Sequence, residues 1–265
     1  NNIDYIGIDR TKAKNKDCYQ FNLVDEKSIE DIILSEDPDY FFHLATHSAL
    51  AYKNNLLETF NEDNSALFNI LINLKKTKNA KLIYFSSSYI YSGHQGDIAV
   101  NEETVLSPVH NFGLAKLFFE KLINREYNNS IIYRLSSVYG DGNYLHPNVI
   151  RNMADDAINN KLITLWGQGK RKMQYIYIKD VIKHTLLSGV LPSGVYNLCG
   201  DNYLSVKETA KIIAKHFGVK LKNIKEKPEG ETLAYMDNQK IINSLNSNIF
   251  SEHIESLKNY LNNLK

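Results

Sequence analysis

The stretch AKLIYFSSSYIYSG, Ala80 to Gly93, opens as an apolar run and closes on three consecutive hydroxyls. A run of this kind reads as a strand buried on both faces of a parallel sheet, with polar groups offered where the strand stops. Upstream, DYFFHLAT (Asp39 to Thr46) is a second nearly continuous apolar strand of the same type. Between the two, Leu56 to Lys78 carries Phe60, Leu67, Ile70, Leu71 and Leu74 at helical spacing. Downstream, Asn111 to Tyr127 reads as a helix and SIIYRLS as a strand. Toward the start, IDYIGID (Ile3 to Asp9) and CYQFNLVD (Cys18 to Asp25) are strand patterns, and EKSIEDIILSE is an amphipathic helix halted at Asp37-Pro38. Regular alternation of strand and helix implies right-handed crossovers, and so an α/β fold built on a doubly wound parallel sheet.

After Gly140 the texture changes. YGDGNYLHPNVIRN is loop-rich, a helix follows over Val149 to Asn159, and GVYNLCGDNYLSVKETAKIIAKHFG reads as strand, loop and amphipathic helix. Residues 1–140 are therefore read as the sheet-bearing part. Residues 141–265 are read mostly as a smaller C-terminal lobe with segments returning to the sheet, and Ser251 to Leu264 as a final surface helix.

Bulk composition excludes some partners. Lys and Arg number 31 against 30 Asp and Glu, so the net charge of +1 gives no electrostatic case for nucleic acid or an anionic membrane. The 17 tyrosines are scattered and form no stacking stripe. No apolar run approaches the roughly 20 residues that span a bilayer, and NNIDYIGIDR lacks the basic-then-apolar order of a signal peptide. Cys18 and Cys199 are far apart and in no metal-ligand spacing, which favours reduced thiols in a cytoplasmic protein. His43 and His47 lie four apart, but no carboxylate or cysteine joins them in the pattern. A core or cleft role is expected for them, and no metal.

In a doubly wound sheet, ligands bind beyond the carboxyl ends of the strands. The residues expected there are Asp9, Asn22, Ala45-Thr46, Ser86 to Ser88, and Ser136-Ser137. An acidic residue such as Asp9 at a strand end suits ribose hydroxyls, while Arg10 beside it suits a 2′-phosphate. Lys116 follows Phe112 by four residues, which places both on one helix face.

Together these segments resemble the extended short-chain dehydrogenase/reductase family, in its nucleotide-sugar epimerase/dehydratase branch. FFHLAT, the Asn64 of EDNSALFNIL, IYFSSSYIYSG, SPVHNFGLAK, YRLSSVYGDG, TLWGQGKRKMQYIYIKDV and GVYNLCG occur in the family's order and at its spacing, over essentially the whole chain. The resemblance implies a Rossmann-type fold with a substrate lobe, NAD as cofactor with NADP not excluded, and a nucleoside-diphosphate sugar as substrate. It also implies a homodimer formed through the helices Leu56–Lys78 and Asn111–Tyr127. Cofactor contacts carried over are Asp9, Arg10, Asn22, Leu23, Leu44, Ala45, Thr46, Asn64 and Lys116; substrate contacts are Ser87, Ser88, Tyr89, Asn148 and Arg171. Ser87 takes the place of the catalytic hydroxyl and Lys116 that of the ribose-binding lysine.

Two departures qualify this. Phe112 stands where the family has its proton-carrying tyrosine, and a phenyl ring has no proton to give. An engineered change, a natural enzyme using Tyr89, Tyr91 or a water instead, and a catalytically dead nucleotide-binding relic are the three explanations open. A Phe112→Tyr change is expected to raise turnover if the rest of the site is intact. The second departure is that the chain opens where the family's second strand would, and neither GDGNY nor GQGKRK fits the Gly-rich turn that holds a pyrophosphate. Ser88 and Tyr89 occupy the positions of the paired acids of the dehydratases, which argues against water elimination. C4 epimerisation of a nucleotide sugar is the reading taken, with reduction of a 4-keto nucleotide sugar as runner-up.

Overall fold

The computed structural model describes residues 4–11, 17–142 and 148–264. β1 (Gly7–Asp9) and β2 (Cys18–Gln20) form a parallel pair with Gly7 opposite Cys18. After α1 (Glu26–Glu36) comes β3 (Tyr40–His43), and after α2 (Ala49–Asn54) and α3 (Leu56–Leu74) comes β4 (Lys81–Ser87). The central sheet is parallel throughout, in the order Gly194–Leu198, Ser130–Leu135, β4, β3. Among the described residues no strand pairs with the outer edge of β3.

The side-chain alternation of β4 decides what lies on each face. Leu82 and Tyr84 pack with Ile132 against α3 and α4 (Asn111–Glu126), through Ile70, Leu74 and Phe119. Ile83 faces the other way, packing with Ile131 and Tyr133 against Val181 and Ile241. Helices cover the sheet on both sides, so the chain has the doubly wound α/β fold that the alternation predicts.

Local chemistry sets the element ends. Asp25 caps α1 by accepting from the Ser28 N–H at 3.2 Å, and Asp37 leaves the helix in a left-handed conformation at φ 39°. Asn55 ends α2 and begins α3, so the two helices run on with a single joint. The predicted helix to Lys78 stops at Leu74, where the Thr77 hydroxyl takes the Leu74 carbonyl at 2.7 Å and turns the chain.

Two strand expectations are corrected. The pattern Cys18 to Asp25 yields only Cys18–Gln20, because the Asn22 side chain accepts from the Val24 N–H at 3.3 Å and bends the backbone into a turn. Asn22 therefore lies two residues past β2. The run DYFFHLAT is not buried on both faces: Phe41 and His43 point to the α3 side, while Tyr40 and Phe42 stay about two-fifths exposed. Their face of β3 is only partly covered, with the Tyr40 hydroxyl against Gly189, so continuous hydrophobicity there does not mean full two-sided burial.

A second core lies in the later half. α5 (Val149–Asn160) and Val206–Phe217 pack on Leu162–Trp166, which pairs in parallel with Lys220–Ile224, and His253–Asn262 closes the same core against Tyr175–Tyr177 and Val206–Phe217. Tyr175–Tyr177 pairs with Ser137–Tyr139 just beyond the central sheet, and Gly194–Leu198 adds to the sheet itself. Of the loop around GDGNY, Asn143 to Pro147 lie outside the described residues.

Candidate active site

Because β3, β4 and Ser130–Leu135 are parallel neighbours, their carboxyl ends open on one side. Leu44 to Thr46 follow β3, Ser87 ends β4, and Ser136-Ser137 follow the third strand. Helix α4 comes back against this end. Gly113 in its first turn is required there, since a Cβ would stand 2.4 Å from the Tyr89 carbonyl oxygen. The close approach seats Phe112 edge-on to Tyr89, with ring centres 5.8 Å apart, and 5.6 Å from Tyr52.

One turn further along α4, Lys116 is 3% exposed. Its ammonium donates to the Phe85 carbonyl at 2.9 Å, to the Thr46 hydroxyl at 3.2 Å and to the Tyr84 hydroxyl at 3.2 Å. It lies 5.5 Å from the centre of the Phe112 ring. Burial pulls its pKa down to about 8, against the opposing pull of the Asp63 and Glu120 carboxylates. Thr46, Phe112 and Lys116 are thus brought together, and the strand end carrying Ser87 lies two residues past the carbonyl that Lys116 holds.

Asp63 anchors the same region. It accepts from the His47 backbone N–H at 3.2 Å, meets His47 Nδ1 at 2.7 Å, and accepts from the Tyr52 hydroxyl at 2.7 Å. Glu62 reaches His47 Nε2 at 3.2 Å. The expectation that no carboxylate joins the histidines fails for His47; the sequence hid it because both acids lie on the facing helix α3. His43 is different. It is buried against the Tyr84 ring, with Nδ1 unpartnered, and burial followed by the nearby Lys116 charge pulls its pKa down to about 3.

Two cavities flank this group. One of about 150 Å³ is walled by Ser87, Ser88, Tyr89, Ser136, Arg171 and Gln174, among others. The other, about 720 Å³, is walled by Lys53, Tyr89, His110, Phe112, Arg171 and Glu231, among others. Tyr89, Arg171 and Leu233 belong to both. Arg171 Nε is buried without a partner among the described residues. Lys53, His110 and Glu231 were not anticipated; KPEGETL, which holds Glu231, is a polar loop with no periodic signal.

The remaining sequence candidates are placed as follows. Asp9 ends β1 and accepts from the N–H and hydroxyl of Thr11, both at 2.7 Å, which lowers its pKa. Arg10 follows it on the β1–β2 pair, apart from the central sheet. The Leu23 carbonyl accepts from Asn69 of α3 at 3.0 Å, and Asn64 of the same helix has a buried, unpartnered Oδ1. Leu44 is exposed. Asn148 lines neither cavity: it caps α5 through the Arg151 N–H at 3.0 Å and donates to the Val138 carbonyl. The GQGKRK turn is also filled, with Glu229 accepting from the Gln168 N–H at 2.6 Å and the Arg171 N–H at 2.9 Å. Among the described residues, no three His, Cys, Asp or Glu side chains are grouped to hold a metal. No described helix is long and apolar enough to cross a membrane.

Residues 1–199 match the family described as "NAD dependent epimerase/dehydratase family". The chain belongs to that family. The expectation of an NAD-dependent enzyme is met at this level, and NAD is the cofactor that membership carries. Curated relatives include a dTDP-D-glucose 4,6-dehydratase of Dictyostelium discoideum, 28% identical over 80% of this chain and 52% of that protein. A protein of Methanocaldococcus jannaschii named "Putative UDP-glucose 4-epimerase" is 27% identical over 91% of this chain and 84% of its own length. This chain therefore spans about half of the first relative and most of the second. Among solved structures, a Thermotoga maritima UDP-glucose 4-epimerase with UDP-glucose superposes with a TM-score of 0.86 at 20% identity, covering 98% of this chain and 90% of that one. A Thermus thermophilus UDP-glucose 4-epimerase complexed with NAD gives 0.82 at 17% identity, covering 95% and 85%. At such identities these structures speak to the fold of the family member.

Proposed function

We propose that this family member interconverts the C4 epimers of a nucleoside-diphosphate sugar, using a keto sugar as intermediate. The observation that carries the reading is the buried Lys116 ammonium between Thr46 and Phe112, beside cavities whose walls include Ser87 and Arg171. Among the described residues Glu231 is the one carboxylate on either cavity wall, whereas elimination of water needs an acid and a base placed together. That favours epimerisation over the dehydratase activity named for the Dictyostelium relative.

Residues on α3, on α4 and after β3 fit one end of the cofactor. Lys116 offers a buried cation, Thr46 a hydroxyl held by it, and Asn64 an acceptor with no partner among the described residues. In this reading those three hold the nicotinamide-ribose end, and Asp9 the adenosine ribose. When bound, NAD supplies the acceptor and donor for a hydride at the sugar C4. Ser87 holds the oxygen on that carbon, and Arg171 neutralises the diphosphate from its place on both cavity walls.

The test is to incubate the purified protein with UDP-glucose and NAD and follow the anomeric proton resonances of UDP-glucose and UDP-galactose. Interconversion without net NADH supports epimerisation. Net consumption of added NADH on a 4-keto sugar nucleotide supports the reductase instead. Failure to bind either NAD(H) or a sugar nucleotide overturns the reading.

The proposed homodimer uses α3 and α4. Leu57, Phe68 and Ile72 on α3 and Leu114 and Phe118 on α4 are exposed, and Phe60 packs edge-on to Phe118 at 5.2 Å. Phe118→Glu places a charge in this apolar surface and is expected to shift the sedimenting species from dimer to monomer. A parent protein that already sediments as a monomer rules the interface out.

A further inference from the structure

We propose that Tyr89 carries the proton that a phenol at position 112 would carry. The inference rests on reading the cleft as a nucleotide-sugar redox site.

Four phenols surround Ser87, Phe112 and Lys116, and the structure separates them by what each hydroxyl touches. Tyr52 is fully buried and donates to Asp63; burial first, and the carboxylate second, push its pKa well above the usual range. Tyr84 is fully buried, accepts from Lys116, and lines neither cavity. Tyr91 is enclosed by Arg134 NH1 at 2.6 Å, the Asn101 carbonyl at 2.9 Å and Asn197 Oδ1 at 3.0 Å. Its hydroxyl is spent on holding strands and turns together.

Tyr89 alone of the four is half-buried and lines both cavities. Its hydroxyl has no hydrogen-bond partner among the described residues. Its ring meets Phe112 edge-on and lies 5.4 Å from His110, on the exposed side of the larger cavity. Its backbone N–H donates to the Ser87 hydroxyl at 3.3 Å, so the two side chains spring from one fixed turn. Gly113 holds the Tyr89 backbone against the first turn of α4, where Phe112 lies.

The step balances as follows. NAD, when bound, would supply the acceptor and the donor for the hydride at the sugar C4. As the O–H electron pair becomes the carbonyl π bond, the deprotonated Tyr89 oxygen would take the hydroxyl proton, and in the return half Tyr89 would give that proton back to the same oxygen as the hydride returns to the carbonyl carbon.

The experiment compares the parent, Tyr89→Phe, Phe112→Tyr and the double variant, reading turnover of UDP-glucose, calorimetric binding of UDP-glucose and NAD, and thermal melting. Tyr89→Phe is expected to lose about 10²-fold or more of turnover, with both affinities within about threefold and melting unchanged. Adding Phe112→Tyr to that variant restores turnover, since the second phenol is set beside the Lys116 ammonium. Full activity of Tyr89→Phe overturns the proposal and leaves the function reading intact. So does an inactive parent that binds both ligands and gains turnover only through Phe112→Tyr. Absence of both binding and turnover in all four proteins overturns the function reading itself, and the proposal with it.

Discussion

Lys116→Met is expected to be more stable than the parent near neutral pH, by about 1–3 kcal/mol, and to lose about 10²-fold or more of turnover. The stability half follows from burial. The Lys116 pKa falls from 10.5 to about 8 on folding, and each unit is about 1.4 kcal/mol of preference for the neutral form. Below pH 8 both states hold the proton and the folded state bears the full penalty, about 3 kcal/mol. Between pH 8 and 10.5 the unfolded chain binds more protons than the folded one, so parent stability rises with pH, and above 10.5 the penalty is gone. Part of the gain is lost again because methionine leaves the Phe85 carbonyl and Thr46 hydroxyl without their donor. Urea unfolding of both proteins from pH 7 to 11 checks this: the advantage of methionine shrinks as pH rises through 8 to 10.5. A difference independent of pH would show that the ammonium is not the source. The activity half follows because methionine fills the space but offers no cation at Thr46.

Glu120→Ala is expected to cost about 3–5 kcal/mol of stability, lowering the melting temperature by roughly 10 °C. Glu120 on α4 and Arg134 in the central sheet are both almost fully buried, joined at 2.7 Å with Arg134 Nε also at 3.1 Å. Removing the carboxylate leaves the guanidinium charged and dry, with Tyr91 and the Glu102 carbonyl as its remaining partners. Removing both charges is a different matter. Glu120→Leu with Arg134→Met is expected to recover most of the loss, because the desolvation of two ions disappears along with their attraction. Calorimetric melting of the parent, single and double variants tests it. Equal melting of parent and Glu120→Ala would show that the pair is solvated in solution.

Some of this was legible without coordinates because it depends on period and order alone. The apolar run ending in Ser86-Ser87 is β4, and the four-residue spacing from Phe112 to Lys116 puts both on one helix face. Local turn chemistry was readable but misjudged: the Asn22 side chain competes for the backbone and ends β2 early, and β3 is apolar yet half uncovered. Burial on a given face depends on which distant segment covers it, which periodicity does not encode.

The sequence by itself determined the doubly wound fold, the family, the strand-end hydroxyls and the absence of a phenol at position 112. Tertiary structure alone decided which groups meet. It placed Asp63 on His47 and Tyr52, brought Glu231 and Arg171 to the wall facing α2, made Asn148 the cap of α5, and left Tyr89, of the four phenols around Phe112, with a hydroxyl unpartnered among the described residues. The physical reason is range: helix and strand periods are set by neighbours within a few residues, whereas proton and charge chemistry is set by contacts between residues far apart in the chain, fixed only when the cores close.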